Sequence, residues 1–309
     1  MSKFSPGLLS LLALVPFGAG ADVTVGDLPA DTVWYLHADL DGMRKGAAGS
    51  KVYDWFRAEV TVDINDEIGI DIDKEVDSVT AFANSANGTV IIIDGAMSKD
   101  SQDKMLALAA QQGPVDPREF KGKTYYFFGH ADGEDYDPDD EPLDDIKDSS
   151  YVSFALKGKA IVTGNEGQMQ ELLANNGKVT GAGSHTGALL VLSANKTLVQ
   201  AGMQTEGLAD DGDDDWDSNI VRNTKQAALM MAEDAGMLAL EAQLVSTDPK
   251  MAEALGGIVN GLIGLQAFNS ELGPEIQSLI RNTRVKVNDN ILSISMVIDP
   301  QVVVDVLED

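Results

Sequence analysis

Paired apolar runs separated by tight turns are the clearest pattern along this chain, and they predict β-hairpins. Residues 79–94 and 227–242 each contain an apolar run, a turn with a single glycine (Gly88 or Gly236) and a second apolar run. Each pair is followed at the same distance by a segment with helical character. The two stretches therefore predict equivalent units, each made of a hairpin and a helix.

Other predicted elements repeat around these hairpins. Each hairpin is preceded by a strand that leads into a helix, and is followed by a second strand pair and a last helix. In the first half these are a strand at 32–39, a helix at about 50–60, strands at 123–128 and 151–163, and a helix at about 166–174 between Asn165 and Gly177. In the second half they are a strand at 187–194, a helix after Asn195, a helix after Asp248 and Pro249, strands at 283–287 and 290–298, and a helix after Asp299 and Pro300. Asn and Asp at these positions are typical N-caps, because their side chains accept hydrogen bonds from free backbone N–H groups.

The element order predicts an α+β fold built as a tandem duplication of a β-α-ββ-α-ββ-α unit, with about ten strands in all. Because successive strands are joined by short turns, we expect mostly antiparallel sheets with helices packed on one face. The predicted boundaries are a signal peptide at 1–21, a first α+β repeat at 22–180 and a second at 181–309.

The first 21 residues predict a cleavable export signal. Lys3 supplies a positive charge, residues 7–17 form an apolar run that is too short to span a bilayer, and residues 19–21 provide a small-x-small cleavage pattern. Cleavage after Ala21 leaves 288 residues. We therefore expect an exported protein that is periplasmic or extracellular.

No later segment predicts a membrane span. The most apolar stretch, 254–268, is interrupted by Asn260 and Gln266 and predicts a buried helix instead. The spacing of Gly257 and Gly261 within it favours tight core packing, since small residues let another element approach closely.

Composition narrows the function classes. The chain has 50 Asp and Glu against 22 Lys and Arg, so its formal net charge is −28. Such a charge opposes binding to nucleic acids and to anionic membranes, and favours a cationic partner. The chain has no cysteine, which excludes disulfides, thiolate metal sites and a cysteine nucleophile.

Two acidic segments interrupt the repeated pattern, an insertion at about 129–150 and a loop at about 206–219. Clustered carboxylates suit Ca²⁺, which takes six to eight oxygen ligands. The candidate metal ligands are Asp135, Asp137, Asp139, Asp213, Asp215 and Asp217. Neither segment has the glycine and glutamate that an EF-hand loop carries at its sixth and twelfth positions. The alternative interpretation is a pair of solvated, self-repelling loops.

No catalytic motif is recognisable in the sequence. His37, His130 and His185 are far apart and lie in none of the spacings typical of zinc hydrolases, and no serine sits in a Gly-x-Ser-x-Gly elbow. His37 falls in a predicted strand, where we expect a packed or surface side chain. The sequence therefore predicts no catalytic or cofactor-binding residue, and a triad built on Ser184 would require convergence in three dimensions.

The segment 28–32, Leu-Pro-Ala-Asp-Thr, follows the signal closely, and the acidic phrase at 69–77 leads into the first hairpin. In these features the chain resembles bacterial exported, duplicated α+β proteins of unknown function that start with the same five residues. The resemblance implies an exported α+β protein and carries no reaction or catalytic residue.

These observations favour an exported, non-enzymatic protein that acts by binding or assembly, with an unknown protein or cationic partner. One alternative is a Ca²⁺-dependent binding or matrix protein that uses the acidic segments. A second alternative is a hydrolase whose site is assembled only in three dimensions.

Overall fold

The computed structural model describes residues 25, 28–29, 31–61, 70–85, 88–112, 114–129, 149–179, 183, 185–199, 223–266 and 274–308. The strands are β1 (Thr32–Asp39), β2 (Ser78–Asn84), β3 (Gly88–Asp94), β4 (Val115–Phe120), β5 (Lys123–Gly129), β6 (Ser149–Ser153), β7 (Lys159–Thr163), β8 (Ala188–Asn195), β9 (Thr224–Asp234), β10 (Met237–Ser246), β11 (Arg284–Asn288) and β12 (Ile291–Ile298). The helices are α1 (Leu40–Lys45), α2 (Gly49–Phe56, extended by a π-helical turn at Arg57–Thr61), α3 (Ile72–Glu75), α4 (Lys99–Gln112), α5 (Glu166–Ala174), α6 (Pro249–Gln266), α7 (Pro274–Asn282) and α8 (Pro300–Glu308).

The twelve strands of the described residues form one sheet, in the order β11-β12-β10-β9-β8-β1-β2-β3-β7-β6-β5-β4. Every neighbouring pair is antiparallel. The α+β class and the antiparallel arrangement predicted from the sequence are therefore confirmed. Strands β1 and β8 meet at the centre, and we call their pairing the β1–β8 junction. From there the order runs outwards as β1-β2-β3 on one side and β8-β9-β10 on the other.

Local signals placed most hairpins and helix starts correctly. Asn165 accepts a hydrogen bond from the Gln168 N–H at 3.2 Å, and Asp299 accepts one from the Gln301 N–H at 2.8 Å, as expected of N-caps. Gly236 has a φ of 80°, which is the left-handed conformation that a two-residue hairpin turn requires.

The strand prediction at 151–163 was wrong in detail. This stretch is two strands, β6 and β7, because the chain reverses at Gly158, where φ is 72°. Strand β4 also adds to the first half at the sheet edge, so the described residues hold twelve strands rather than about ten. Glycine adopts a positive φ at little cost, so a turn can interrupt an apolar run that reads as one strand.

Helices pack on both faces of the sheet, which corrects the prediction of a single helical face. Since side chains alternate along a strand, the register places Tyr35, Phe82, Val90 and Ile161 on one face, the upper face, where they pack against α5. From α5, Met169, Leu172 and Leu173 enter this cluster.

The opposite, lower face carries most of the remaining helical packing. Ala38, Val79, Ile93 and Leu190 belong to a second apolar cluster that includes buried residues of α1 and α2. Helix α8 packs against α2 over the same face. The sheet is therefore covered on both sides, and each side has its own apolar core.

Candidate functional site

The predicted calcium ligands lie outside the part of the chain that the structure describes. Asp135, Asp137, Asp139, Asp213, Asp215 and Asp217 all lie outside the described residues. So do His130 and Ser184. Among the residues that the structure does describe, no group of three or more His, Asp or Glu side chains could hold a metal ion. The calcium interpretation thus stays a prediction from the sequence.

The fold brings two histidines together that the sequence separates widely. His37 lies on the upper face of β1, and His185 comes just before β8, with their ring centroids 4.7 Å apart. His37 Nδ1 is hydrogen-bonded to the Thr80 hydroxyl at 2.9 Å, and His185 Nε2 to the Tyr35 hydroxyl at 2.9 Å. The Tyr35 and His185 rings also stack, 5.3 Å apart. We call these four side chains the histidine cluster.

Burial shifts the pKa values of two groups in this cluster. Burial and the neighbouring His185 together lower the pKa of His37 to about 4, while Asp39 and Asp94 oppose the shift. Burial also raises the pKa of the Tyr35 phenol, so that this group stays protonated near neutral pH. Tyr35 is only 3% exposed, which leaves its oxygen little access to a substrate. The arrangement suits a hydrogen-bonded structural contact better than a nucleophile and its base.

The sequence did not reveal this cluster, because each histidine stands alone in the chain. The one available signal was the internal alignment, in which strands 32–39 and 187–194 take equivalent places. If equivalent first strands meet at the centre of one sheet, residues on and beside them become neighbours. The alignment alone could not show that the two strands pair directly.

A second polar cluster lies on the upper face near the sheet edge. Arg118 on β4 forms an ion pair with Glu166 of α5 at 2.8 Å, and its guanidinium lies 4.8 Å from the centre of the Phe127 ring. The Tyr125 hydroxyl donates to the same Glu166 carboxylate at 2.6 Å. These contacts attach α5 to the edge strands and account for the charged side chains there.

Helix α6 presents an exposed apolar surface. Ile258, Leu262 and Leu265 are 37%, 52% and 71% exposed. A Cβ added at Gly257, Gly261 or Gly264 would meet no atom within 4 Å, so these glycines are open as well. We call these six residues the α6 surface.

Only the first part of α6 is buried, which corrects the prediction of a buried helix with tightly packed glycines. Ala252, Leu255 and Gly256 are buried, and a Cβ on Gly256 would come within 2.6 Å of the Val287 side chain on β11. Close packing therefore occurs at Gly256, which lies outside the predicted glycine motif. Within the described part of the chain, no helix is both long and apolar enough to cross a membrane.

No family model matches the chain, and no curated protein matches it either. Among solved structures it is similar to TP0453, at 12% identity. Crystal form III gives a TM-score of 0.46 over 96% of this chain and 98% of that one, and crystal form I gives 0.42 over 91% and 95%. These values are too low for function to be carried over from TP0453.

Proposed function

We propose that this protein is exported and acts by binding another protein, with the α6 surface as its contact. The observation that carries the proposal is the exposure of Leu262 and Leu265 on a helix that belongs to the folded domain. Soluble proteins rarely leave neighbouring large apolar side chains uncovered unless they take part in an interaction.

The energetics favour a contact of this kind. Fully burying a leucine contributes about 1.5 to 3 kcal/mol. Because Leu262 and Leu265 are half or more exposed, covering them would contribute about 1 to 2 kcal/mol each. Together the two side chains would contribute about 2 to 4 kcal/mol, a gain that favours their burial in an interface.

The absence of charge on the exposed part of α6 suits an apolar contact. The chain carries a net charge of −28, yet residues 254–266 contain no Asp, Glu, Lys or Arg. Long-range repulsion between this protein and an acidic partner is therefore weakest where α6 is exposed. A basic partner would be drawn to the remaining surface, and α6 would supply the apolar contact.

We further propose that the scaffold is a tandem duplication, as the sequence alignment predicts. In support, β1-β2-β3 and β8-β9-β10 follow each other in the same order outwards from the β1–β8 junction. In both halves the third strand leads into a helix, α4 in the first and α6 in the second. On this proposal the two helices are counterparts.

The counterpart helices differ in a way that favours a role for α6. Helix α4 carries the ion pairs Lys99–Asp103 and Lys104–Asp100, both spaced for one helical turn. The exposed part of α6 has no charge and several large apolar residues. The scaffold can therefore hold a polar helix at this position, and the apolar character of α6 needs another explanation.

Site-specific crosslinking tests the proposal. A photoreactive benzoyl-phenylalanine at position 262 should crosslink one defined protein in the producing cells, and a second substitution, Leu265→Glu, should abolish the product. The same probe at Leu108, an exposed leucine 36% accessible on α4, is the matched control. Equal products from both positions, or no effect of Leu265→Glu, would reject the α6 surface.

The export proposal has a direct test of its own. Cleavage after Ala21 predicts that the mature protein begins at Asp22. N-terminal sequencing of protein recovered from the periplasm or medium should find this residue. Full-length chain retained in the cytoplasm would contradict export.

A Ca²⁺-dependent binding role is a second proposal, supported by the alternating carboxylates of the acidic loop. The melting temperature in millimolar Ca²⁺ should then be higher than in an equal concentration of Mg²⁺ or in chelator. The triple change of Asp213, Asp215 and Asp217 to Asn should remove the difference. Equal melting temperatures in Ca²⁺ and Mg²⁺ would contradict a specific Ca²⁺ site and indicate a general effect of cation charge.

A further inference from the structure

We propose that the histidine cluster makes the β1–β8 junction acid-sensitive, so that acidification loosens the contact between the two halves of the sheet. In the described sheet, β1 and β8 are the neighbouring strands that join the first half to the second. A change in their pairing therefore acts on the contact between the two halves. The inference does not depend on the proposed α6 surface.

The geometry holds the two imidazoles close across this junction. His37 lies directly opposite Val191 of β8 and Thr80 of β2 in the sheet register. His185 is fixed by a tight turn, in which its carbonyl accepts the Ala188 N–H at 2.9 Å. The strand register and this turn therefore fix the backbone on both sides of the ring pair, whose centroids lie 4.7 Å apart.

Such a pair tolerates neutral rings and resists charged ones. A proton on each ring would place two positive charges less than 5 Å apart in a partly buried setting, where charges repel more strongly than in water. The Tyr35 hydroxyl and His185 Nε2, 2.9 Å apart, hold the second ring in place through a hydrogen bond whose direction depends on the tautomer of His185.

The surrounding charges do not cancel this resistance. From β1, Asp39 favours a charged His37, and Asp94 on β3 does the same. The residues opposite His37 on β2 and β8 are Thr80 and Val191, which carry no charge. Burial and His185 outweigh the two carboxylates, and the pKa of His37 falls from 6.5 to about 4.

The same values predict how strongly acid should act. If His37 has a pKa of about 4 while the junction is closed and 6.5 once it is open, the opening equilibrium increases about 20-fold from pH 7 to pH 5. Most carboxylates keep their charge over this range, because their ordinary pKa values lie near 4. The pH window therefore separates the histidine effect from general acid unfolding.

Hydrogen exchange of the whole mature protein tests the inference. After correction for the intrinsic pH dependence of exchange, peptides from β1 and β8 should exchange about 20-fold faster at pH 5 than at pH 7. Peptides from β10 and β12 should change little. The variant His37→Gln should lose the acceleration, and His37→Asn, which keeps a polar group near Thr80, should lose it as well.

Controls make the outcomes distinct. His130→Gln removes a different histidine and should behave like the wild type. Thermal melting at pH 7 checks that the His37 variants are folded. If one of the two variants does not fold, the other still tests the proposal. Acceleration that persists in both His37 variants, or that is equal in β1, β8, β10 and β12, would overturn the proposal.

Discussion

Glu233 stabilises the fold as a helix cap supplied from a distant part of the chain. Its carboxylate, near the end of β9, accepts hydrogen bonds from the N–H groups of Ala47, Ala48 and Gly49 at 2.9 to 3.0 Å. These groups lie at the start of α2: Gly49 is its first residue, Ala48 is its N-cap and offers no side-chain acceptor, and Ala47 precedes the cap. The Glu233 carboxylate therefore attaches the second half of the chain to the first.

The structure sets the size of the expected loss. Ala48 and Gly49 are buried, so without Glu233 their N–H groups would lack partners, at about 1 to 3 kcal/mol each. Ala47 is exposed, so its N–H group can donate to water instead. Losing a negative charge at the helix N-terminus adds about 0.3 to 1 kcal/mol. We expect Glu233→Ala to lower the free energy of unfolding by about 3 kcal/mol, and Glu233→Gln by about half as much.

Urea unfolding followed by circular dichroism measures these losses. Glu253→Ala, which removes an exposed carboxylate on α6, is the control and should change stability by less than about 0.5 kcal/mol. A side chain at Gly46 would overlap with the Glu233 carboxylate, so Gly46→Ala should displace the cap. The double variant Gly46→Ala/Glu233→Ala should then lose less than the sum of the single variants. Additive losses, or a Glu233→Ala loss no larger than the control, would refute the capping role.

Three further predictions concern stability. The folded-state pKa of His37, about 4, lies below its unfolded value of 6.5, so the stability that neutral His37 contributes is complete above about pH 6.5 and is lost as the pH falls towards 4. The loss of unfolding free energy from pH 6.5 to pH 4, measured with urea, should be about 3 kcal/mol smaller in His37→Gln than in the wild type. An equal loss in both proteins would contradict this prediction. Gly95→Ala should lower the melting temperature sharply, because the new Cβ would overlap with the Glu75 backbone oxygen. Gly257→Ala, where α6 is open, should instead raise stability by about 0.5 to 1 kcal/mol. Similar effects of the two substitutions would contradict this prediction. Leu173→Ala, at the fully buried contact of α5 with the upper face, should destabilise by about 2 to 5 kcal/mol in urea, and a loss below about 1 kcal/mol would argue against that packing.

Helix starts and hairpins could be predicted from the sequence, because they depend on neighbouring residues. Asn165 and Asp299 cap helices through groups only two or three residues away. The turn at Gly236 needs a left-handed residue and has one. These are interactions within one or two turns of chain, so the residue types alone specify them. The α+β class and the antiparallel sheet follow from their order.

Contacts between distant segments could not be predicted in the same way. The Tyr35–His185 hydrogen bond spans 150 positions, and the bonds from Glu233 to α2 span more than 180. Which face α5 covers was also open, since an apolar helix stripe does not say which side of a sheet it meets. Each of these outcomes depends on the order of strands in the sheet.

The α6 segment separates what the sequence determined from what only the tertiary structure decided. The sequence by itself determined that residues 254–266 are apolar, uncharged and rich in glycine, and that they form a helix. Only the tertiary structure decided that Leu255 and Gly256 are covered while Leu262 and Leu265 are not. The physical reason is that burial requires a complementary surface: Val287 on β11 and Leu292 on β12 supply one at Gly256, whereas no atom among the described residues lies within 4 Å of a Cβ built at Gly257, Gly261 or Gly264.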